Sequence, residues 1–192
     1  RLGKVVASAA HAFGRLEVDT SPQLVPLPKA AQLVFVIDAS YSVTAPMIDA
    51  QLAIIRQYVA HIPDAQVELV LVRRDATRLW NGFISASPAS FRTALVDAQT
   101  TGKLALGNGS ALDKGLALAA TALDKRKGPR RIVVMTDRLV RTAITAPAVA
   151  AVIAKLPADI VVHAIVPKLD DVDRVELTRD DADDFAPIAT KH

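Results

Sequence analysis

Leu33-Val34-Phe35-Val36-Ile37-Asp38-Ala39-Ser40-Tyr41-Ser42 is an apolar run that stops at a carboxylate and then offers two alternate hydroxyls. The run has no polar alternation. Both faces of the strand it predicts, Ala31 to Ile37, should therefore be buried, as in a parallel sheet covered by helices. Such a strand delivers Asp38, Ser40 and Ser42 together at its carboxyl end, where open α/β sheets place their ligands. All three side chains are oxygen donors, the ligand type that a hard divalent cation prefers.

Downstream, strand-like and helix-like segments alternate. Ala45 to His61 reads as a helix, with Thr44 as its cap, Pro46 in its first turn, and Ile48, Leu52, Ile55 and Val59 at helical spacing. Val67 to Val72 is a second buried strand, and Thr77 to Ile84, with Trp80 and Phe83, reads as an edge strand. Pro88 to Asp97 is a second helix. A Gly-rich loop, Gly102 to Gly109, leads through Ser110 into a helix over Ala111 to Leu123, whose buried stripe is Leu112, Leu116, Ala119 and Leu123. Gly128-Pro129 stops it. Ile132 to Thr136 is another buried strand that ends at a carboxylate, Asp137. Thr145 and Pro147 open a helix through Leu156, Ile160 to Val166 is the next strand, and Asp180 to His192 reads as a last helix. The alternation predicts an α/β fold: a doubly wound, mostly parallel central sheet flanked by helices.

The chain has 192 residues, enough for one domain with a sizeable core. Half of it is apolar but only 4% is aromatic, so the core must be aliphatic. The net charge of +3 is modest, which gives nucleic acid no particular claim as a partner. No cysteine is present, which excludes disulfides and thiolate metal sites. No apolar run approaches the length of a membrane span, so direct insertion of this segment is not expected. Residues 1–30 differ in character from the rest. Val5 to Phe13 is Ala-rich and reads as helical, Arg15 to Val18 as a strand, and Pro22, Pro26 and Pro28 as an extended linker. This part is read as an arm, or the end of a preceding domain. The chain, which starts at Arg1 without Met, is read as a piece of something longer.

At the switch point of a doubly wound sheet, Asp38, Ser40 and Ser42 can meet Ser110 and Asp137. Two carboxylates would neutralise a divalent ion, and three hydroxyls would fill direct positions. Asp38-Ala39-Ser40-Tyr41-Ser42 resembles the D-x-S-x-S signature of von Willebrand factor A domains. Ser110 in its Gly-rich loop and Asp137 after a later strand fall in the order and spacing of that family. The resemblance covers roughly 31–167 and makes 31–192 the vWA-like domain, with a Rossmann-like sheet. It implies a metal-ion-dependent adhesion site for Mg²⁺, or Mn²⁺ or Ca²⁺ in its place. Ser40, Ser42 and Ser110 would bind the ion directly and Asp38 and Asp137 mostly through water. An Asp or Glu of a protein partner would complete the shell, with Tyr41, Asn108 and Arg138 on the rim. Two positions depart from the family: Ser110 stands where Thr is usual, and Arg138 where Gly is frequent. The Pro-rich arm resembles the junction in inter-alpha-trypsin-inhibitor-like proteins, where a β-rich domain precedes this one.

Other readings fit the residues less well. Taken alone, Asp38, Ser40 and Ser42 could simply cap backbone groups in a strand-to-helix turn. A vWA fold with a vestigial metal site is a further alternative. Gly102 and Gly107 have phosphate-loop spacing, but Asn108 and Gly109 replace the required Lys and Ser or Thr. Gly107-Asn108-Gly109 lacks the third glycine of a dinucleotide fingerprint, and Ser110 is not in a nucleophile elbow. An aspartate-nucleophile phosphatase would use Asp38 with Mg²⁺, but it needs a second Asp where Ser40 stands, and serine cannot serve as that acid near neutral pH. Lys125, Arg126, Lys127, Arg130 and Arg131 read as a solvated helix end without the aromatics of a nucleic-acid surface. The acidic residues from Asp170 to Asp184 lack the glycine and ligand spacing of a calcium loop. His163, inside a strand, reads as a packed or edge histidine.

Overall fold

The computed structural model describes residues 2–8, 11–16, 28–136 and 142–165. Asp137, Arg138, Pro22, Pro26, the acidic run from Asp170 and the helix expected over Asp180 to His192 lie outside them. The first two elements correct the reading of the arm. β1 (Leu2–Ser8) and β2 (His11–Leu16) pair antiparallel, so Val5 to Phe13 spans a hairpin and not a helix. Alanine's helix propensity is a weak prior, and cross-strand pairing overrides it here.

β3 (Gln32–Asp38) is buried along its whole length. It pairs in parallel with β4 (Gln66–Val72) on one side and β7 (Arg130–Met135) on the other, and β7 pairs in parallel with β8 (Ile160–Ile165). Short β5 (Ala76–Arg78) and β6 (Ile84–Ser85) both run antiparallel to β4. The edge strand expected over Thr77 to Ile84 is thus broken in two. Asn81, at φ 53°, and Gly82 turn the chain between the pieces.

The helices are α1 (Ala45–Ala60), α2 (Pro88–Thr100), α3 (Leu112–Leu123) and α4 (Thr142–Lys155). The last begins three residues before Thr145. Pro147 therefore sits inside it, where its ring removes one helical hydrogen bond instead of opening the first turn. Thr44 occupies the N-cap of α1, but its side chain makes no cap bond.

Odd and even residues of the central strands feed two separate cores. Leu33, Phe35, Ile37, Leu69, Leu71 and Met135 pack with Leu52 and Ile55 of α1 and Phe91 and Leu95 of α2. Val34, Val36, Val70, Val72 and Val134 pack with Leu112 and Leu116 of α3 and Val149 and Ile153 of α4. This two-sided burial explains the unbroken apolar runs. α3 comes especially close to the sheet. A Cβ on Gly115 would lie 2.4 Å from Val72 Cγ2 and 2.9 Å from Val36 Cγ1, so only glycine fits. From β3 the chain passes through α1 to β4 on one flank, and it later returns to β7 on the other flank. The reversal between β3 and β7 is the topological switch point, and Asp38 stands at its edge.

The basic turn is only partly solvated. Lys125 and Lys127 are exposed. Arg126 lies 4.2 Å over the Phe83 ring and donates to Gln32 Oε1 at 2.8 Å, while Arg130 pairs with Asp159. His163 is a half-buried residue of β8, as expected of a packed or edge position.

Candidate metal centre

Asp38 ends β3 and is 1% exposed. Its two oxygens do different things. Oδ1 accepts the Ser40 backbone N–H at 2.9 Å, which closes the local turn. Oδ2 accepts the Ser110 hydroxyl at 2.8 Å and the Thr136 hydroxyl at 3.0 Å. The turn-forming role is therefore real but occupies one oxygen. The other collects hydroxyls from residues 72 and 98 positions away.

Ser40 is also buried, and its Oγ lies 2.8 Å from the Oγ of exposed Ser42. The Gly-rich loop docks beside them: Gly107 N–H donates to Ala39 C=O at 2.9 Å, and Ser40 and Gly107 form a parallel bridge. Ser110 sits just ahead of Ala111, the N-cap of α3, and no side chain caps that helix. Its hydroxyl is committed to Asp38 and not to the helix end.

Of the residues singled out from the sequence, the fold brings Asp38, Ser40, Ser42 and Ser110 together. Tyr41, 65% exposed, and exposed Asn108 stand on the two loops that carry these residues. Asp137 and Arg138 lie outside the described residues. Thr136 was missed. Its signal lay in strand register: Ile37 pairs with Met135, so the next residue of each strand, Asp38 and Thr136, ends up side by side.

The donor set fits a small hard cation. Two ligands on adjacent corners of an octahedral Mg²⁺ shell, each about 2.05 Å from the ion, are about 2.9 Å apart, whereas Ca²⁺ would spread them to about 3.4 Å. The Ser40–Ser42 separation of 2.8 Å is that of a hydroxyl–hydroxyl hydrogen bond, and it is also compatible with adjacent corners of the smaller ion's shell. Ser110 gives its proton to Asp38, which leaves its oxygen lone pairs free to face a cation. No Lys, Arg or His among the described residues forms an ion pair with Asp38. A buried carboxylate in that condition lacks the countercharge that usually accompanies burial. The N-terminus of α1 opposes a cation, and no acidic residue lies in its first turn to offset it. Among the described residues there is no group of three or more His, Cys, Asp and Glu side chains that could hold a metal. The site there consists of one carboxylate and its surrounding hydroxyls.

Residues 33–139 match the family of the von Willebrand factor type A domain. Comparison with curated protein sequences gives no match. Among solved structures, the chain resembles the von Willebrand factor type A protein from Catenulispora acidiphila, with TM-score 0.55 and 20% identity, covering 71% of this chain and 33% of that one. It resembles the PilB minor pilin from Streptococcus sanguinis with TM-score 0.61 and 14% identity, over 75% and 51% of the two chains. It also resembles an aerotolerance-related membrane protein from Bacteroides fragilis, with TM-score 0.57 and 18% identity, over 79% and 77%. At these identities the likeness is one of fold. The chain spans about a third of the first structure and about half of the second.

Proposed function

Because the chain belongs to the von Willebrand factor type A domain family by its match over residues 33–139, we propose that it is a protein-binding domain whose contact is made through a divalent cation. The ion is Mg²⁺, with Mn²⁺ or Ca²⁺ as substitutes, and a partner Asp or Glu completes its shell. Ser40, Ser42 and Ser110 hold it, with Asp38 and Asp137 supplying the negative charge. The observation that carries this reading is the convergence of four oxygen-bearing side chains from two distant segments on one strand end.

The bound ion supplies one electrophilic position for an incoming carboxylate. The protein does the rest. Burial of Asp38 and its three hydrogen bonds fix the carboxylate before any ion arrives, so little ordering remains to be done on binding. Exposed Ser42, Tyr41 and Asn108 leave the outer side open to a partner surface, and Arg138, next to Asp137 in the sequence, would add a positive charge suited to an acidic one. The role is coordination and not turnover. With Ser40 two residues after Asp38, the chain lacks the acid that an aspartate-nucleophile phosphatase needs.

Calorimetric titration of Mg²⁺ and Mn²⁺ into the native chain and Asp38→Ala tests this. Saturable binding is expected in the first and none in the second. Binding that survives in Asp38→Ala would put the ion elsewhere. No binding in the native chain, even with acetate present as a surrogate partner carboxylate, would reduce the domain to a scaffold with a vestigial site.

A further inference from the structure

Resting on that reading of the metal site, we propose that Arg73 is its positioning residue: it clamps the loop that presents Ser110 to Asp38. Arg73 directly follows Val72, the β4 residue that pairs with Asp38. Its side chain folds over the Gly-rich loop. Nε donates to Ala105 C=O at 2.8 Å, and Nη2 donates to Lys103 C=O at 3.0 Å and again to Ala105. On the far side of Ser110, Ala111 N–H donates to Arg73 C=O at 2.8 Å. The residue thus grips the loop both before and after the ligand.

The loop sequence is cut to this clamp. A Cβ on Gly107 would fall 2.6 Å from Arg73 Cδ, so the glycine lets the arginine stem lie flat against the loop. Gly109, at φ +83°, would place a Cβ 2.8 Å from Arg74 Cα. Gly107 in turn donates to Ala39 C=O, between Asp38 and Ser40. The path from Arg73 to the site is therefore a chain of direct contacts. Arginine suits the task because its planar fork reaches two carbonyls at fixed angles, which a lysine ammonium cannot reproduce. A positive charge beside a cation site does not attract the cation, so Arg73 is there for the loop and not for the ion's charge.

That opposition gives the test a sign. If Arg73 acted through its field, Arg73→Ala would tighten Mg²⁺. As a clamp, its loss should weaken Mg²⁺ by about tenfold, the low end for groups that orient metal ligands. Arg73→Lys, with the charge kept, should lose most of the same affinity. With Ser110 already replaced in Ser110→Ala, Arg73→Ala should change affinity by less than about twofold, because the clamp then has no ligand to position. Hydrogen exchange at the Gly107 and Ala111 amides should quicken in Arg73→Ala without metal. Unchanged or tighter Mg²⁺ binding in Arg73→Ala, or an equal loss in both backgrounds, would overturn the proposal. If the native chain binds no Mg²⁺, the metal reading fails by itself. Exchange then judges the clamp: faster exchange at both amides keeps it, and unchanged exchange removes it.

Discussion

Two carboxylates are buried in adjacent strands of one sheet, and they are held in opposite ways. Glu68 in β4 is 0% exposed and sits against a cation: Arg78 Nε lies 2.9 Å from its Oε2, and Trp80 N–H donates to its Oε1 at 3.1 Å. Asp38 in β3 is as deeply buried but, among the described residues, receives only neutral donors, one backbone N–H and two hydroxyls. A buried charge with its countercharge in place is a finished structural element. On the reading proposed above, a buried charge without one is completed by an external cation. The difference separates an element that holds the β4–β5 edge from one proposed to receive a ligand.

Neutralising each carboxylate in place should break the comparison if it is wrong. Saturating Mg²⁺, at about a hundred times its dissociation constant, should stabilise the native chain by about 2.7 kcal/mol. Glu68→Gln should keep that gain and Asp38→Asn should lose all of it. Without metal the order reverses. Glu68→Gln leaves the Arg78 guanidinium facing a neutral acceptor and should cost about 1–2 kcal/mol in urea unfolding. Asp38→Asn should cost nothing or stabilise, since the Ser110 and Thr136 hydroxyls can turn to accept from the amide. If metal-free Asp38→Asn loses as much stability as Glu68→Gln, Asp38 is a structural residue and the contrast is void.

A smaller effect sharpens how Asp38 is held. Thr136→Val keeps the shape of a fully buried side chain and removes one hydroxyl donor from the carboxylate. It should cost about 1 kcal/mol in metal-free urea unfolding. Thr77→Val, at the exposed position of β5, should stay within about 0.5 kcal/mol of the native chain. A neutral result for Thr136→Val would mean that the hydroxyl does not support Asp38.

The parallel strands and α1 to α3 were legible because burial on both faces leaves unbroken apolar runs and helix stripes leave regular spacing. The convergence of Asp38, Ser40, Ser42 and Ser110 was legible because a strand end and a loop before a helix are fixed places in an α/β sheet. What stayed hidden depends on partners distant in sequence. Glu68 looks like an interruption in an apolar run until the register of β4 with β5 brings Arg78 near it. Thr136 looks like the last residue of a strand until its pairing with β3 is known. Arg73 lies about thirty residues from the carbonyls it holds, and no local pattern announces that grip. The hairpin of β1 and β2 was misread because its alanines favour a helix locally while pairing between the two strands decides.

A third carboxylate, Asp159, completes the series with the smallest effect. It pairs with Arg130 at the amino end of β7, at the opposite end of the sheet from Asp38, and its side chain is 61% exposed. The hydrogen bond from the Arg130 guanidinium holds the Asp159 carboxyl below its ordinary value of 3.8. A depressed folded-state value means that the pair stabilises fully above about pH 3.8, where the unfolded carboxylate is also ionised. That contribution is lost as pH falls through the lower folded-state value. Asp159→Asn should therefore lower the neutral-pH midpoint only slightly, since water screens an exposed pair. The gap from the native chain should close as pH drops below 3.8. A gap that stays constant into that range would mean that Asp159 acts through the shape of the turn before β8 and not through its charge. An effect as large as that of Glu68→Gln would show that exposure does not separate these pairs.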